Sequence, residues 1–479
     1  MIRELTAEEL TDRLKDIFAG CADFSVRRMN ADGTTVYLAV IDGFTGRDYI
    51  TLSVIRPLLM PSAPFVPPES FEKRLAAKEL TALEDIASAR EKLLSGAAVV
   101  YCDVLCGVCA YACMARTDPG RSVAEPDDEI VVRGPREGFV ESAEVNTALL
   151  RKRLRTERLK VVDLTVGDTA GTTVRVLYME GVADEGLVRD VIDRIRRIRL
   201  PAVMDSGYIE QYLTPRGRLL TEVGNSEKPD KVAAKLTEGR AAIICDGSPV
   251  VLTVPYLFIE SLQSAEDYLK TPYYATFIRC VRFVCMLIAL YLPAFYIAVL
   301  RHHTGAVPYA LYEKIVTSRI NVPFGLFGEL TVILLIFEII REVGVRMPGA
   351  VGDAVSIVAG LVLGDAAIKA GISSAPVIMV ASLTAICTFI MPPFMNAAVL
   401  VRFFNTLLAR LFGMAGIALS LIVGLTALCT KRSFGVPYMY PLAPLDTSCL
   451  ADTLLVLPRR AIRKTQRALD GASDGKEKI

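Results

Sequence analysis

Apolar residues are not spread evenly along this chain. From Phe283 to Cys429 long uncharged stretches follow one another, whereas charged residues dominate positions 1 to 282. Mean hydropathy reaches +0.40 although 22% of the residues are charged, a combination that a single soluble domain rarely shows and that segregation explains. Runs long enough to cross about 30 Å of hydrocarbon make the second half a helical membrane domain, because helices satisfy their own backbone hydrogen bonds in lipid.

The first half carries an internal repeat. Gly33-Thr34-Thr35-Val36 opens a run ending at Gly43, and Gly171-Thr172-Thr173-Val174 opens one ending at Gly181, with an offset of 138 residues. Leu93-Leu94-Ser95-Gly96 through Cys102-Asp103 matches Leu236-Thr237-Glu238-Gly239 through Cys245-Asp246 at an offset of 143. Two matches in the same order at nearly equal spacing imply a duplicated α/β unit. Each unit reads strand, helix, then hairpin, from short β-branched runs bounded by Gly and Asp and from helical spacing at Leu187, Val188, Val191, Ile192 and Ile195. The expected fold is an α/β cytoplasmic head of two tandem similar subdomains plus an α-helical polytopic membrane domain. Its expected boundaries are 1–120 and 121–275 for the subdomains, 276–432 for five to six spans, and 433–479 for a cytoplasmic tail. A polar stretch, 117–128, separates the subdomains. The loop Val132-Arg133-Gly134-Pro135-Arg136-Glu137-Gly138-Phe139 suits either a solvated connection or an arginine-bearing surface for an anion or a neighbouring subunit.

Several function classes are disfavoured. A net charge of +1 without long single-sign blocks speaks against nucleic acid. The only histidines, His302 and His303, are adjacent, which leaves no HExxH zinc motif and little for a Ser-His-Asp triad, so no catalytic residues are expected. Eleven cysteines read as small buried hydrophobes in a reducing compartment. Cys102, Cys106, Cys109 and Cys113 give C-x3-C-x2-C-x3-C, whose first three members match an iron–sulfur spacing. Yet Cys102 aligns with Cys245 of the second copy, which has no companions, so the cluster reads as a β-hairpin with no metal and no cofactor. The charged N-terminus resembles no cleavable signal, which keeps the head in the cytosol.

In the second half, Phe283–Leu300 and Phe324–Ile340 read as spans, the latter carrying Glu329 and Glu338, nine residues apart and on roughly opposite helix faces. A carboxylate in hydrocarbon needs a protein partner or water, so both are candidates for helix pairing, for instance Glu338 with Arg341, or for lining an ion path. In Val351–Ala370, Gly352, Ser356, Gly360, Gly364 and Ala367 form one small-residue stripe suited to close helix packing. The opposite stripe, Val355, Val358, Val362, Asp365 and Lys369, suits either a lipid-facing band or, around a symmetry axis, a hydrophobic constriction with a charged mouth. Pro376–Leu400 is broken by Pro392-Pro393, and Leu411–Cys429 is a final span. Lys431-Arg432 and the basic tail at Arg459, Arg460, Arg463, Lys464 and Arg467 place the C-terminus with the head. Both ends inside require an even number of crossings and five are clear, so Val307–Val322 or the Pro-broken region up to Arg410 must hold another crossing or a re-entrant piece.

Residues 131–141 (VVRGPREGFVE), 227–255 (EKPDKVAAKLTEGRAAIICDGSPVVLTVP), 337–348 (FEIIREVGVRMP), 351–371 (VGDAVSIVAGLVLGDAAIKAG) and 433–444 (SFGVPYMYPLAP) together resemble the A subunit family of GerA-type spore germinant receptors. The resemblance covers roughly 125–445. It implies a nutrient-sensing complex in the inner membrane of bacterial spores, with a transporter-like B subunit and a lipoprotein C subunit, in which the A subunit forms a homo-oligomer that conducts ions. On that implication the Val358 and Val362 stripe becomes the gate. The competing readings are a paralogue serving the dipicolinic-acid release machinery, an iron–sulfur membrane enzyme, and a secondary transporter. The last would show its repeat in the membrane half, not in the head.

Overall fold

The computed structural model describes residues 2–60, 67–77, 79–104, 107–115, 129, 134–214, 220–346, 360, 362–390, 394–446, 452–453 and 455–456. The expected linker at 117–128, Cys106 and the basic tail beyond 456 lie outside them.

Two antiparallel sheets of five strands each account for the first half. The first contains β1 (Phe24–Ala31), β2 (Thr34–Ile41), β3 (Leu80–Ala82), β4 (Ala97–Val104) and β5 (Gly107–Met114), ordered β1-β2-β4-β5-β3. In the second, β6 (Leu159–Val166), β7 (Thr172–Met179), β8 (Gly224–Ser226), β9 (Ala241–Cys245) and β10 (Val251–Val254) take the order β6-β7-β9-β10-β8. The two orders are the same. Register makes the duplication residue-specific: Val36 lies opposite Cys102, and Val174 opposite Cys245. Each unit opens with a hairpin, not with the lone strand expected from the GTTV runs. In the first unit Asp32 and Gly33, both at positive φ, close that hairpin in the left-handed geometry that an Asp-Gly pair favours.

Helices cover both faces of each sheet. α1 (Ala7–Ile17), started by a Thr6/Glu9 capping box, and α2 (Ile86–Leu94) pack Leu10, Leu14 and Leu93 against Val99 and Tyr101. A helical run over 47–59 and Phe71 cover Val36, Val100 and Cys102 on the other face. With no face left to solvent, β4 buries every residue from Ala97 to Cys102, which is why its sequence is continuously apolar. The second sheet is covered by α3 (Ala143–Arg153), α4 (Glu185–Arg196), α5 (Ser206–Leu213) and α6 (Pro229–Thr237). α3 and α6 pack Leu150 and Leu236 on Ile244, while α4 and α5 pack Val191 and Ile209 on Ile243.

The sheets are joined by main chain and charge. Ala22 N donates to Val161 O at 2.9 Å and Val161 N to Gly20 O at 3.1 Å. Arg151 of α3 grips buried Asp23 with two hydrogen bonds, 2.8 and 2.9 Å, just before β1.

The second half is a helical bundle: α7 (Pro272–His302), α8 (Tyr309–Thr317), α9 (Leu326–Arg346), a helical stretch over 362–369, α10 (Ala375–Phe389), α11 (Met395–Phe412) and α12 (Met414–Thr430). By length and composition α7 and α11 suffice to cross a membrane, and α10 and α12 are apolar but shorter. Pro376–Leu400, expected as one broken span, is two helices, with Pro392-Pro393 between them in residues outside those described. Val307–Val322 holds the nine-residue α8. The Pro-broken region thus holds two helices where one broken span is expected.

Candidate functional site

Glycine decides how the 362–369 stretch packs. A Cβ on Gly360 would meet Phe337 of α9 at 3.8 Å, and one on Gly364 would meet Ile378 of α10 at 3.6 Å, so the small-residue face lies against two neighbouring helices with room for a methyl group and little more. Ala367 packs in the same apolar cluster. The opposite stripe points away: Val362 is 57% exposed, and Asp365 and Lys369, one turn apart and paired at 2.6 Å, are exposed as well. Gly352, Val355, Ser356 and Val358, expected on the same two stripes, lie outside the described residues.

Both glutamates of α9 meet protein groups. Glu329, fully buried, accepts from Arg319 Nε at 2.9 Å, Ser374 N and Oγ at 2.7 Å each, and Ser373 Oγ at 3.1 Å. It thereby ties the segment after α8 to the turn that follows the 362–369 stretch. Glu338 pairs with Arg341 at 2.8 Å, as expected from their spacing, and also with Arg402 of α11, which reaches Thr388 of α10 at 3.1 Å. Sequence reading missed Arg319 and Arg402. An arginine inside an apolar run such as 395–409 is itself the signal, since it demands a carboxylate nearby.

The joint between head and bundle is built from four separate segments. Tyr256, Phe258 and Leu262 after β10 form one apolar cluster with Tyr438 and Tyr440, and Met286 of α7, Phe394 and Leu428 of α12 pack against it. Main-chain bonds pin the chain after α12 to this cluster: Phe258 N donates to Tyr438 O at 2.9 Å, and Tyr256 N to Ser433 Oγ at 3.2 Å. Beneath them Glu260 is buried with Lys235 at 2.8 Å and Arg240 at 3.1 Å. Burial alone would raise the Glu260 carboxyl, but Arg240, Lys235 and the Leu257 N–H outweigh it and hold the group at about 2. Burial pushes the Lys235 ammonium down. At the head end of α7, buried Arg279 donates to Asp267, Asp452 and Thr453 O, and Arg282 forks onto Asp267 at 2.6 and 2.9 Å.

Cys102 and Cys109 face each other across the β4–β5 hairpin. Burial pushes the thiols of Cys102, Cys113 and Cys245 up to about 12, which makes them poor nucleophiles and poor ligands. Among the described residues no group of three His, Cys, Asp or Glu side chains is placed to hold a metal. In the loop before α3, Glu137 is taken up by Lys152 and Arg153 and Phe139 is buried, so residues 134–141 are a tied-down connection. Between α7, α10 and α11, Met286, Cys387, Phe394 and Ala398 help line a cavity of about 20 Å³, room for one water and too small for an amino acid or sugar.

Residues 12–468 match the family model described as Bacillus/Clostridium GerA spore germination protein. The chain belongs to this GerA family. Among its relatives, spore germination protein KA of Bacillus subtilis (strain 168) is 34% identical over 489 residues, covering 100% of this chain and 89% of that protein. An uncharacterized membrane protein, YfkQ, of the same organism is 34% identical over 458 residues, with 94% and 89% covered. Spore germination protein GerLA of Bacillus cereus is 30% identical over 470 residues, with 95% and 94% covered. The crystal structure of the N-terminal domain of the A subunit of the Bacillus megaterium spore germinant receptor GerK3 matches 54% of this chain and 97% of that one, with 21% identity and a TM-score of 0.39. Membership in the GerA family gives the chain a role in spore germination, and two of the described helices, α7 and α11, are long and apolar enough to cross a membrane.

Proposed function

We propose that this GerA-family chain is the A-type subunit of a nutrient-sensing germinant receptor in the spore inner membrane, that copies of it assemble around the 351–370 segment, and that this segment gates an ion path. The observation that carries the proposal is two-sidedness: Gly360 and Gly364 are packed on Phe337 and Ile378, while Val362, Asp365 and Lys369 face outward. A ring of copies turning that outward stripe, with Val355 and Val358, onto a common axis would make a dewetting constriction with a charged mouth. Glu329 and Glu338, satisfied by Arg319 and Arg402, hold the surrounding helices and leave conduction to the stripe. No chemical step is assigned to the protein. A transporter-like B subunit and a lipoprotein C subunit are its expected partners.

In this reading six helices cross the bilayer and α8 does not, so the head and the C-terminal tail share the cytoplasmic side. The proposed units are 1–120, 121–275, 276–432 and 433–479. The test is potassium release from cells expressing the chain with its neighbouring subunit genes, without nutrient. Val362→Ala widens the constriction and should leak constitutively; tight retention by both proteins at matched expression would turn the reading toward a non-conducting scaffold.

A further inference from the structure

We propose that α8 is an interfacial helix that lies on the phospholipid surface at the end of the bundle far from the head. The inference rests on the reading that the bundle crosses a membrane. At 3.6 residues per turn, Tyr309, Leu311, Tyr312, Ile315 and Val316 fall on one arc roughly 160° wide, and Glu313, Lys314 and Thr317 fall on the opposite one. A nine-residue helix with that division is made for a boundary. Its own protein fills little of the arc: Ile315, toward the Leu311 edge, is buried, while Tyr309, Leu311 and Val316 remain 79%, 52% and 47% exposed.

Its level in the bundle fits the boundary between headgroups and acyl chains. The apolar run Phe283–Leu300 of α7 is 18 residues long, about 27 Å of helix, and Arg301 ends it just before α8 begins. The same end carries other polar markers: His302 lies 3.0 Å from Arg410 O, and Arg410 stacks over Phe327 at the start of α9. Two tyrosines on the apolar arc suit the interfacial zone, where an aromatic body sits in the acyl boundary and its hydroxyl in the headgroups. Lys314 on the outer arc is placed to reach lipid phosphate. Because Arg319, two residues beyond α8, is bound to Glu329, and Glu329 to Ser373 and Ser374, seating α8 in the lipid surface also fixes the turn that ends the 362–369 helix.

The chain contains no tryptophan, so one introduced tryptophan is an unambiguous reporter in the full-length protein. Leu311→Trp and Val316→Trp probe the apolar arc, Lys314→Trp the polar arc, and Phe295→Trp the lipid-facing side of α7. Each is reconstituted in phosphatidylglycerol/phosphatidylcholine vesicles with or without chain-brominated lipid. The expected result is blue-shifted emission quenched by brominated lipid at 311 and 316, and at 314 red-shifted emission quenched by acrylamide instead. Quenching by brominated lipid at 295 but at neither 311 nor 316 would overturn the proposal and leave the membrane reading intact. Shielding of 311 and 316 only when the other receptor subunits are co-purified would likewise overturn it, in favour of a protein partner. Absence of lipid quenching at 295 as well would sink the membrane reading itself.

Discussion

The two sheets of the head share strand order and register yet hold different positions in the molecule. The second is wired to the bundle: Glu222, Tyr256, Phe258 and Glu260 bind the segment after α12 or sit beneath it, and Lys235 of α6 completes the buried charge cluster. The first is fastened to the second through Asp23, Gly20 and Ala22, at the edge formed by the turn before β1. Duplication thus supplied one fold twice, and the loops and helix ends, not the sheets, set what each copy does. Val36 opposite Cys102 and Val174 opposite Cys245 are the part that stayed the same.

The strongest way to break that arrangement is at the seam between the copies. Arg151 and Asp23 are both buried, so Arg151→Ala leaves a carboxylate with no counter-charge and should cost about 3–5 kcal/mol of head stability. Denaturant unfolding of the full chain in detergent measures it. The double change Asp23→Leu with Arg151→Met should recover most of the loss, since an apolar pair needs no partner. A cost below about 1 kcal/mol for Arg151→Ala would mean that the main-chain bonds at Val161 hold the seam without the ion pair.

Acid separates the copies next. The Glu260 carboxyl is held at about 2, below its ordinary value of 4.5, so its contribution is complete above pH 4.5 and is lost as pH falls through 2. The difference amounts to about 3 kcal/mol at neutral pH. Glu260→Gln should remove that share of the acid dependence, and it leaves Lys235 and Arg240 buried beside a neutral amide, so the variant is already weaker at pH 7. Parallel stability–pH curves for the two proteins would show that Glu260 is not the group that titrates.

How much of this was legible follows from distance along the chain. Local signals were strong: the Gly-Thr-Thr-Val runs and the aligned cysteines reveal the duplication, and a small residue at every fourth position from Gly352 to Gly364 reveals the face that meets Phe337 and Ile378. β1 was passed over because Arg27 and Arg28 interrupt its apolar pattern, although Asp32-Gly33 marked its turn. Pairings across the fold leave no such trace. Arg402 lies 64 residues from Glu338, and Ser433 lies 177 from Tyr256; nothing in the spacing of either pair predicts that they meet.

The smallest expected effect is the most local test of the comparison. Ser433 is fully buried, accepts from Tyr256 N, and donates to Glu222 O at 2.9 Å. Tyr256 N also reaches Glu222 O at 3.1 Å, so Ser433→Ala leaves neither group unpaired and should cost only about 1 kcal/mol. The loss falls where the chain after α12 meets the second sheet. Hydrogen exchange should therefore quicken at 256–260 and 431–440 while β1 to β5 keep their protection, because the first copy reaches the bundle through the second. Faster exchange spread evenly over both sheets would mean that the head and its joint open as one unit, and that the division of labour between the copies ends at their contacts without extending to their stability.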